Sequence, residues 1–204
     1  MVSDPDPKRF HSEIDQFIKS NQENMFLDSV ILFIGSSSIR FWELDQYFPD
    51  YNGLNRGFGG AHISDMLYFF DIIVNPYSIK AIVFYCGDND IASGKTPERV
   101  FNDFIHIYDK IVRLFPKVKF YYIPIKPSIS RWDKWDNMNQ TNHKILTWSK
   151  WNSALYYVNT ATPMLEIEGI PNPKLFIEDG LHLNVTGYDL WTKIVRDRIT
   201  LTLD

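Results

Sequence analysis

A single cysteine, Cys86, in 204 residues excludes any disulfide within the chain. It lies in the apolar run Ala81-Ile82-Val83-Phe84-Tyr85-Cys86, where a small buried hydrophobe is expected rather than a reactive thiol. The lack of disulfides permits a reducing compartment. Excess positive charge is also missing: 21 Lys and Arg stand against 25 Asp and Glu, for a net charge of -4. No basic stripe is available to neutralise phosphates, which argues against a nucleic-acid partner. Long hydrophobic runs are absent, and segments 30–34 and 81–86 are far too short to span a bilayer. The start, Met1-Val2-Ser3-Asp4-Pro5-Asp6-Pro7, contains no apolar leader core. Read as a native start it favours a cytoplasmic location; a removed leader would mean export.

Several familiar signatures fail as well. Gly94-Lys95-Thr96 resembles the end of a phosphate-binding loop, but Asn89 occupies its required upstream glycine position. No Gly-x-Ser-x-Gly pentapeptide occurs, so the elbow of the α/β-hydrolases is unsupported. The sequons Asn139-Gln140-Thr141 and Asn184-Val185-Thr186 lack a secretory signal to give them meaning.

What is present is ordinary globular composition, 45% hydrophobic and 23% charged, at a length that favours one domain over residues 1–204. The aromatic share of 16% suits a well-filled core, or an aromatic-lined pocket. Segments 30–34, 81–85 and 118–123 read as buried strands, with shorter ones at 53–55 and 156–158. Between them, 10–18, 39–47, 63–74, 97–115 and 139–155 read as helices. Thr96-Pro97-Glu98 starts one with a hydroxyl cap, and Val100, Phe104, Ile107, Ile111 and Leu114 form its stripe. Thr186-Gly187-Tyr188-Asp189 is the expected start of the last helix. Alternation of this kind predicts a parallel α/β sheet with helices on both faces, and sites beyond the carboxyl ends of its strands. Residues 126–137 form the one long irregular stretch, a candidate lid or pocket wall.

Four segments carry chemistry. Ser37, in Gly35-Ser36-Ser37-Ser38, follows the first strand and opens a helix; it is either a nucleophile or part of a serine cap. Gly60, ending Asn55-Arg56-Gly57-Phe58-Gly59-Gly60, allows close approach of a backbone amide, or simply makes a turn. Asn89 lies between Asp88 and Asp90; its neutral amide can donate to an oxyanion that either carboxylate would repel, or can close an Asx turn. Asp179 and His182 sit three apart, as a carboxylate that orients an imidazole base. His11, His106 and His143 read as structural, and His62 as the start of the 63–74 helix.

In this order the segments resemble the SGNH hydrolases, the GDSL-type esterase and lipase family, in its acetylhydrolase-like branch. Phe33-Ile34-Gly35-Ser36-Ser37-Ser38-Ile39 is similar to the first block, Gly60 to the second, Asn89 to the third, and Asp179 with His182 to the last. Ser36 stands where the family often has Asp. The resemblance runs from Ile31 to Trp191. It implies a flavodoxin-like three-layer α/β/α sandwich with a sheet of about five parallel strands, serine esterase chemistry and no cofactor. It makes Ser37 the nucleophile, and the Ser37 amide, Gly60 amide and Asn89 side chain the oxyanion hole. The substrate would be a small-molecule acyl or acetyl ester of a lipid, carbohydrate or small alcohol. Arg131 and Trp132 are expected to line its pocket, with Arg131 near a polar leaving group or in a surface ion pair. Two rivals are a metal-dependent phosphoesterase using Asp88, Asp90, Asp179 and His182, and a carbohydrate- or lipid-binding domain using Trp132, Trp135 and Trp148.

Overall fold

A computed structural model describes residues 2–23 and 28–203. Its centre is a five-stranded parallel sheet of β1 (Val30–Gly35), β2 (Gly53–Gly57), β3 (Ile79–Tyr85), β4 (Lys119–Tyr122) and β5 (Leu155–Tyr157), in the order β2-β1-β3-β4-β5. All six residues of β1 are buried, as expected for a strand covered on both faces. The two-residue period of the strand sorts its side chains. Leu32 and Ile34 meet Phe58, Met66, Phe104 and Ile107, whereas Ile31 and Phe33 meet Trp42, Phe48, Trp191 and Val195.

The helices are α1 (His11–Glu23), α2 (Ser37–Arg40), α3 (Leu44–Tyr47), α4 (Ile63–Tyr68), α5 (Phe70–Val74), α6 (Asp88–Ala92), α7 (Pro97–Leu114), α8 (Trp135–Ser149) and α9 (Val185–Thr202). The cap of α7 is the one read from sequence, with Thr96 accepting from the Arg99 amide at 3.3 Å. Its stripe is buried apart from Leu114, which is 50% exposed in the last turn; Tyr108 is buried with the others. Two expected helices are broken. Segment 39–47 divides into α2 and α3, because Asn55 of β2 donates to the Ile39 and Trp42 carbonyls (2.7 and 3.1 Å) while Trp42 turns into the core. Segment 63–74 divides at Phe69, which is itself buried.

The last helix begins earlier than Thr186. Asn184 is its cap, accepting from the Gly187 amide at 3.1 Å and donating to the Lys174 and Phe176 carbonyls. The irregular stretch after β4 is a wall rather than a lid: Lys126 and Ser128 are buried, and α8 already starts at Trp135.

The chain leaves β1 for β2 on one side and returns to β3 on the other. That reversal opens a crevice at the carboxyl ends of β1 and β3, where open α/β sheets place their ligands.

Candidate active site

Each candidate residue follows the carboxyl end of a different strand. Ser37 is the first residue of α2 after β1, Gly60 follows β2, Asn89 is in α6 after β3, and Asp179 and His182 come after β5. Gly35 makes the turn to Ser37 possible by packing: a Cβ there would lie 2.0 Å from the Tyr85 carbonyl oxygen. Of the three serines, none caps α2 with its hydroxyl. Ser36 occupies the cap position, but its carbonyl does the work, accepting from the Ile39 and Arg40 amides (2.9 and 3.1 Å).

The Ser37 hydroxyl instead meets His182. Its Oγ lies 2.9 Å from Nε2, and Nδ1 of the same ring lies 2.6 Å from Asp179 Oδ2. The other oxygen of Asp179 accepts from the amides of Leu181 and His182 (2.8 and 2.9 Å). Burial pulls the Asp179 carboxyl upward, but the hydrogen bonds from the His182 ring and these two amides outweigh it, lowering it to about 2. The carboxylate is therefore ionised at neutral pH and accepts from Nδ1, which leaves Nε2 free to accept from Ser37.

The surrounding packing keeps ring and hydroxyl in register. Phe41 lies edge-on to the His182 ring at 5.3 Å between centroids. Tyr188 of α9 donates to the Ser38 carbonyl at 3.0 Å, and Trp42 donates to Thr192 at 3.0 Å, docking α9 against the segment that carries Ser37. The Ser130 amide donates to the Gly180 carbonyl at 3.1 Å, tying the wall after β4 to the histidine loop.

Gly60 has φ of +77°, a conformation that a Cβ disfavours, and the space a Cβ would fill is open. Its importance lies in its backbone angle rather than in crowding by the protein. Among the described residues, the Ser37 and Gly60 amides donate to no protein acceptor. Asn89 donates from Nδ2 to the Ala61 carbonyl at 3.1 Å, which brings its side chain beside the Gly60 turn.

Arg131 and Trp132 are the residues expected at the substrate wall, with a surface ion pair as the alternative for Arg131. The structure turns Arg131 inward: Nη2 donates to Asn89 Oδ1 at 3.0 Å, and Nη1 lies 3.3 Å from Asp88 Oδ2. Trp132 stacks on Trp135 with centroids 5.9 Å apart. The cluster beneath Asn89 went unseen. Lys126 is 3.3 Å from Asp88 and donates to the Tyr85 hydroxyl, and all three are buried. One signal was available: Lys126 interrupts the apolar stretch after β4, where a lysine needs an anion.

The carboxylates of the metal-site rival do not gather. Asp88 faces Lys126 and Arg131, while Asp90 faces Lys95 at 2.8 Å. Among the described residues no group of three or more His, Cys, Asp or Glu is arranged to hold a metal ion. Cys86 is buried, donates to the Ala61 carbonyl, and has its thiol pushed well above the ordinary range by burial. No helix among the described residues is long and apolar enough to cross a membrane.

A cleft of about 450 Å³ adjoins His182, lined by Phe41, Tyr47, Ile177 and Val185, with Glu43 and Gln46 among its polar residues. A larger cleft of about 540 Å³, lined by Phe101, His143, Trp148 and Trp151, includes none of the candidate residues. Of these two clefts, the one beside His182 is the relevant one, because a candidate residue lines it.

A family model for GDSL-like lipases and acylhydrolases matches residues 40–190, well over half of the chain. The chain belongs to the GDSL-like lipase/acylhydrolase family. As a member it is an ester hydrolase, and the match contains Gly60, Asn89, Asp179 and His182, beginning just after Ser37. No curated protein matches in sequence. Among solved structures, a protein of Streptococcus pneumonia provisionally named as a platelet activating factor superposes with a TM-score of 0.84 at 19% identity, covering 94% of both chains. A GDSL-like lipase from Bacteroides thetaiotaomicron gives 0.75 at 20% identity, covering 97% of this chain and 98% of that one. A mutant acetyl-xylooligosaccharide esterase from Geobacillus Stearmophilus gives 0.65 at 15% identity, covering 86% and 96%. At these identities the likeness is one of fold, and the fold is the three-layer α/β/α arrangement shared with GDSL-like lipases.

Proposed function

We propose that this GDSL-family hydrolase cleaves carboxylic esters through an acyl-enzyme formed on Ser37. The observation that carries the reading is the unbroken chain from Ser37 Oγ to His182 Nε2 (2.9 Å) and from His182 Nδ1 to Asp179 (2.6 Å). As Oγ bonds to the carbonyl carbon, its proton passes to Nε2 and the carbonyl electron pair moves onto oxygen. Asp179 holds the ring in the required tautomer and stabilises the imidazolium. The oxyanion is met by the Ser37 and Gly60 amides and the Asn89 side chain. Collapse breaks the bond to the alcohol, which leaves with the proton from His182. Water then repeats the sequence, with His182 as its base, and releases the acid and free Ser37.

The cleft supports a reading of the substrate class. Its apolar walls and limited volume suit a short acyl or acetyl ester of a lipid, carbohydrate or small alcohol. That one structural relative is an acetyl-xylooligosaccharide esterase makes acetylated sugars one arm of a substrate panel.

A fluorophosphonate probe combined with a chain-length series of p-nitrophenyl esters tests the reading. The probe is expected on Ser37, and Ser37→Ala is expected to lose labelling and about 10⁶-fold in kcat, as in a comparable triad. Labelling at another residue, or undiminished turnover by Ser37→Ala, would overturn the assignment.

A further inference from the structure

We propose that Arg131 is a positioning residue that sets the Asn89 side-chain amide as an oxyanion donor, anchored in turn by the buried Asp88–Lys126 pair. The inference rests on the acyl-enzyme reading above.

A side-chain amide has one oxygen acceptor and two N–H donors, and its two ends can exchange places by rotation. At Asn89 the neighbours decide. A guanidinium can only donate, so the end facing Arg131 Nη2 at 3.0 Å is Oδ1. A backbone carbonyl can only accept, so the end facing Ala61 at 3.1 Å is Nδ2. Rotating the amide would set N–H against guanidinium and oxygen against oxygen. With one N–H on Ala61, one remains for an oxyanion.

Arg131 contributes polarity as well as direction. Its positive charge at Oδ1 draws electron density along the amide and strengthens the remaining N–H as a donor. A long side chain does this only if its own place is determined. Asp88 Oδ2 lies 3.3 Å from Arg131 Nη1 and 3.3 Å from Lys126 Nζ, and it accepts from the Tyr85 hydroxyl at 3.2 Å. Burial works against the Asp88 anion, but Lys126 and Arg131 outweigh it and hold the carboxyl below its ordinary value. Two cations around one buried anion keep positive charge beneath the amide. Asp88, beside Asn89 in sequence, thus acts on it through a residue 42 positions beyond Asn89.

A merely structural role for Arg131 would lower stability and leave its effect independent of Asn89. A double-mutant cycle separates the two, with kcat and KM measured on one p-nitrophenyl ester for Arg131→Met, Asn89→Ala and the double variant. Asn89→Ala is expected to lose roughly 10²–10³-fold in kcat. Arg131→Met is expected to lose about 10-fold or more in kcat with KM little changed, the size of a charge-assisted hydrogen bond. In the Asn89→Ala background it should cost almost nothing further. Should Arg131→Met not fold, Arg131→Lys carries the same cycle, since it keeps the charge beside Asp88 without the fork that reaches both partners. A full, undiminished loss from the Arg131 substitution in the Asn89→Ala background overturns the proposal, as does wild-type kcat for Arg131→Met. An Asn89→Ala enzyme with wild-type kcat overturns the oxyanion-hole assignment itself, and this proposal with it. Absence of fluorophosphonate labelling at Ser37 identifies failure of the acyl-enzyme reading separately.

Discussion

Asp179 and Asp88 both serve the candidate site, and they are held by opposite means. Asp179 is 42% exposed, and its partners are the amides and ring of residues two and three positions along its own loop. Asp88 is only 6% exposed, and its charged partners, Lys126 and Arg131, come from the far side of β4. A carboxylate on a local loop can orient an imidazole with little burial, because short charge-assisted hydrogen bonds do the holding. A buried carboxylate depends on cations brought by the tertiary fold, and removing either partner strands a charge. The first arrangement is local and nearly independent of the core. The second ties Asn89, the proposed oxyanion donor, to the charged pairs of the protein interior.

The largest expected effect breaks this contrast on the catalytic side. Asp179→Asn leaves packing intact but favours the wrong imidazole tautomer, so kcat should fall about 10⁴-fold while the denaturation midpoint barely moves. A steady-state assay beside a urea titration checks both halves, and a large loss of stability would make Asp179 a structural anchor instead. Next comes the reverse case. Asp88→Leu removes the anion between two cations and should lower unfolding free energy by about 3–5 kcal/mol, read from the same titration. A neutral outcome would mean that Lys126 and Arg131 find other partners, and the contrast would collapse.

The smallest effect concerns pH. The Asp179 carboxyl is lowered from 3.8 to about 2, so between these values the unfolded chain binds more protons than the folded one. Its contribution to stability is therefore complete above about pH 4 and is lost as pH falls toward 2. Exposure keeps the contribution small. Melting curves of wild type and Asp179→Asn should converge toward pH 2 and run parallel above pH 4; a constant gap across that range would contradict the linkage.

The parts of the site held by local contacts were legible in sequence. Asp179-Gly180-Leu181-His182 forms its own turn, and Ser37 is where a strand-to-helix turn puts it. The break at Trp42 was hidden because its cause is Asn55, from another strand. The true cap of α9 was hidden for a related reason: Thr186 and Asn184 are both good cap residues. Asn184 alone also reaches the Lys174 and Phe176 carbonyls. For Arg131, expected at the pocket wall or in a surface ion pair, the partners were hidden because Asn89 and Asp88 lie some 40 residues earlier.

Periodicity and local spacing therefore determined the alternation of strands and helices that implies a parallel sheet, and the pairing of Asp179 with His182, since each of these patterns is written in residues close together along the chain. Only the tertiary structure decided that His182 faces Ser37, which way the Asn89 amide points and where the Arg131 charge resides. Those outcomes depend on burial and on partners brought together from distant strands, and no local pattern records which distant groups will meet.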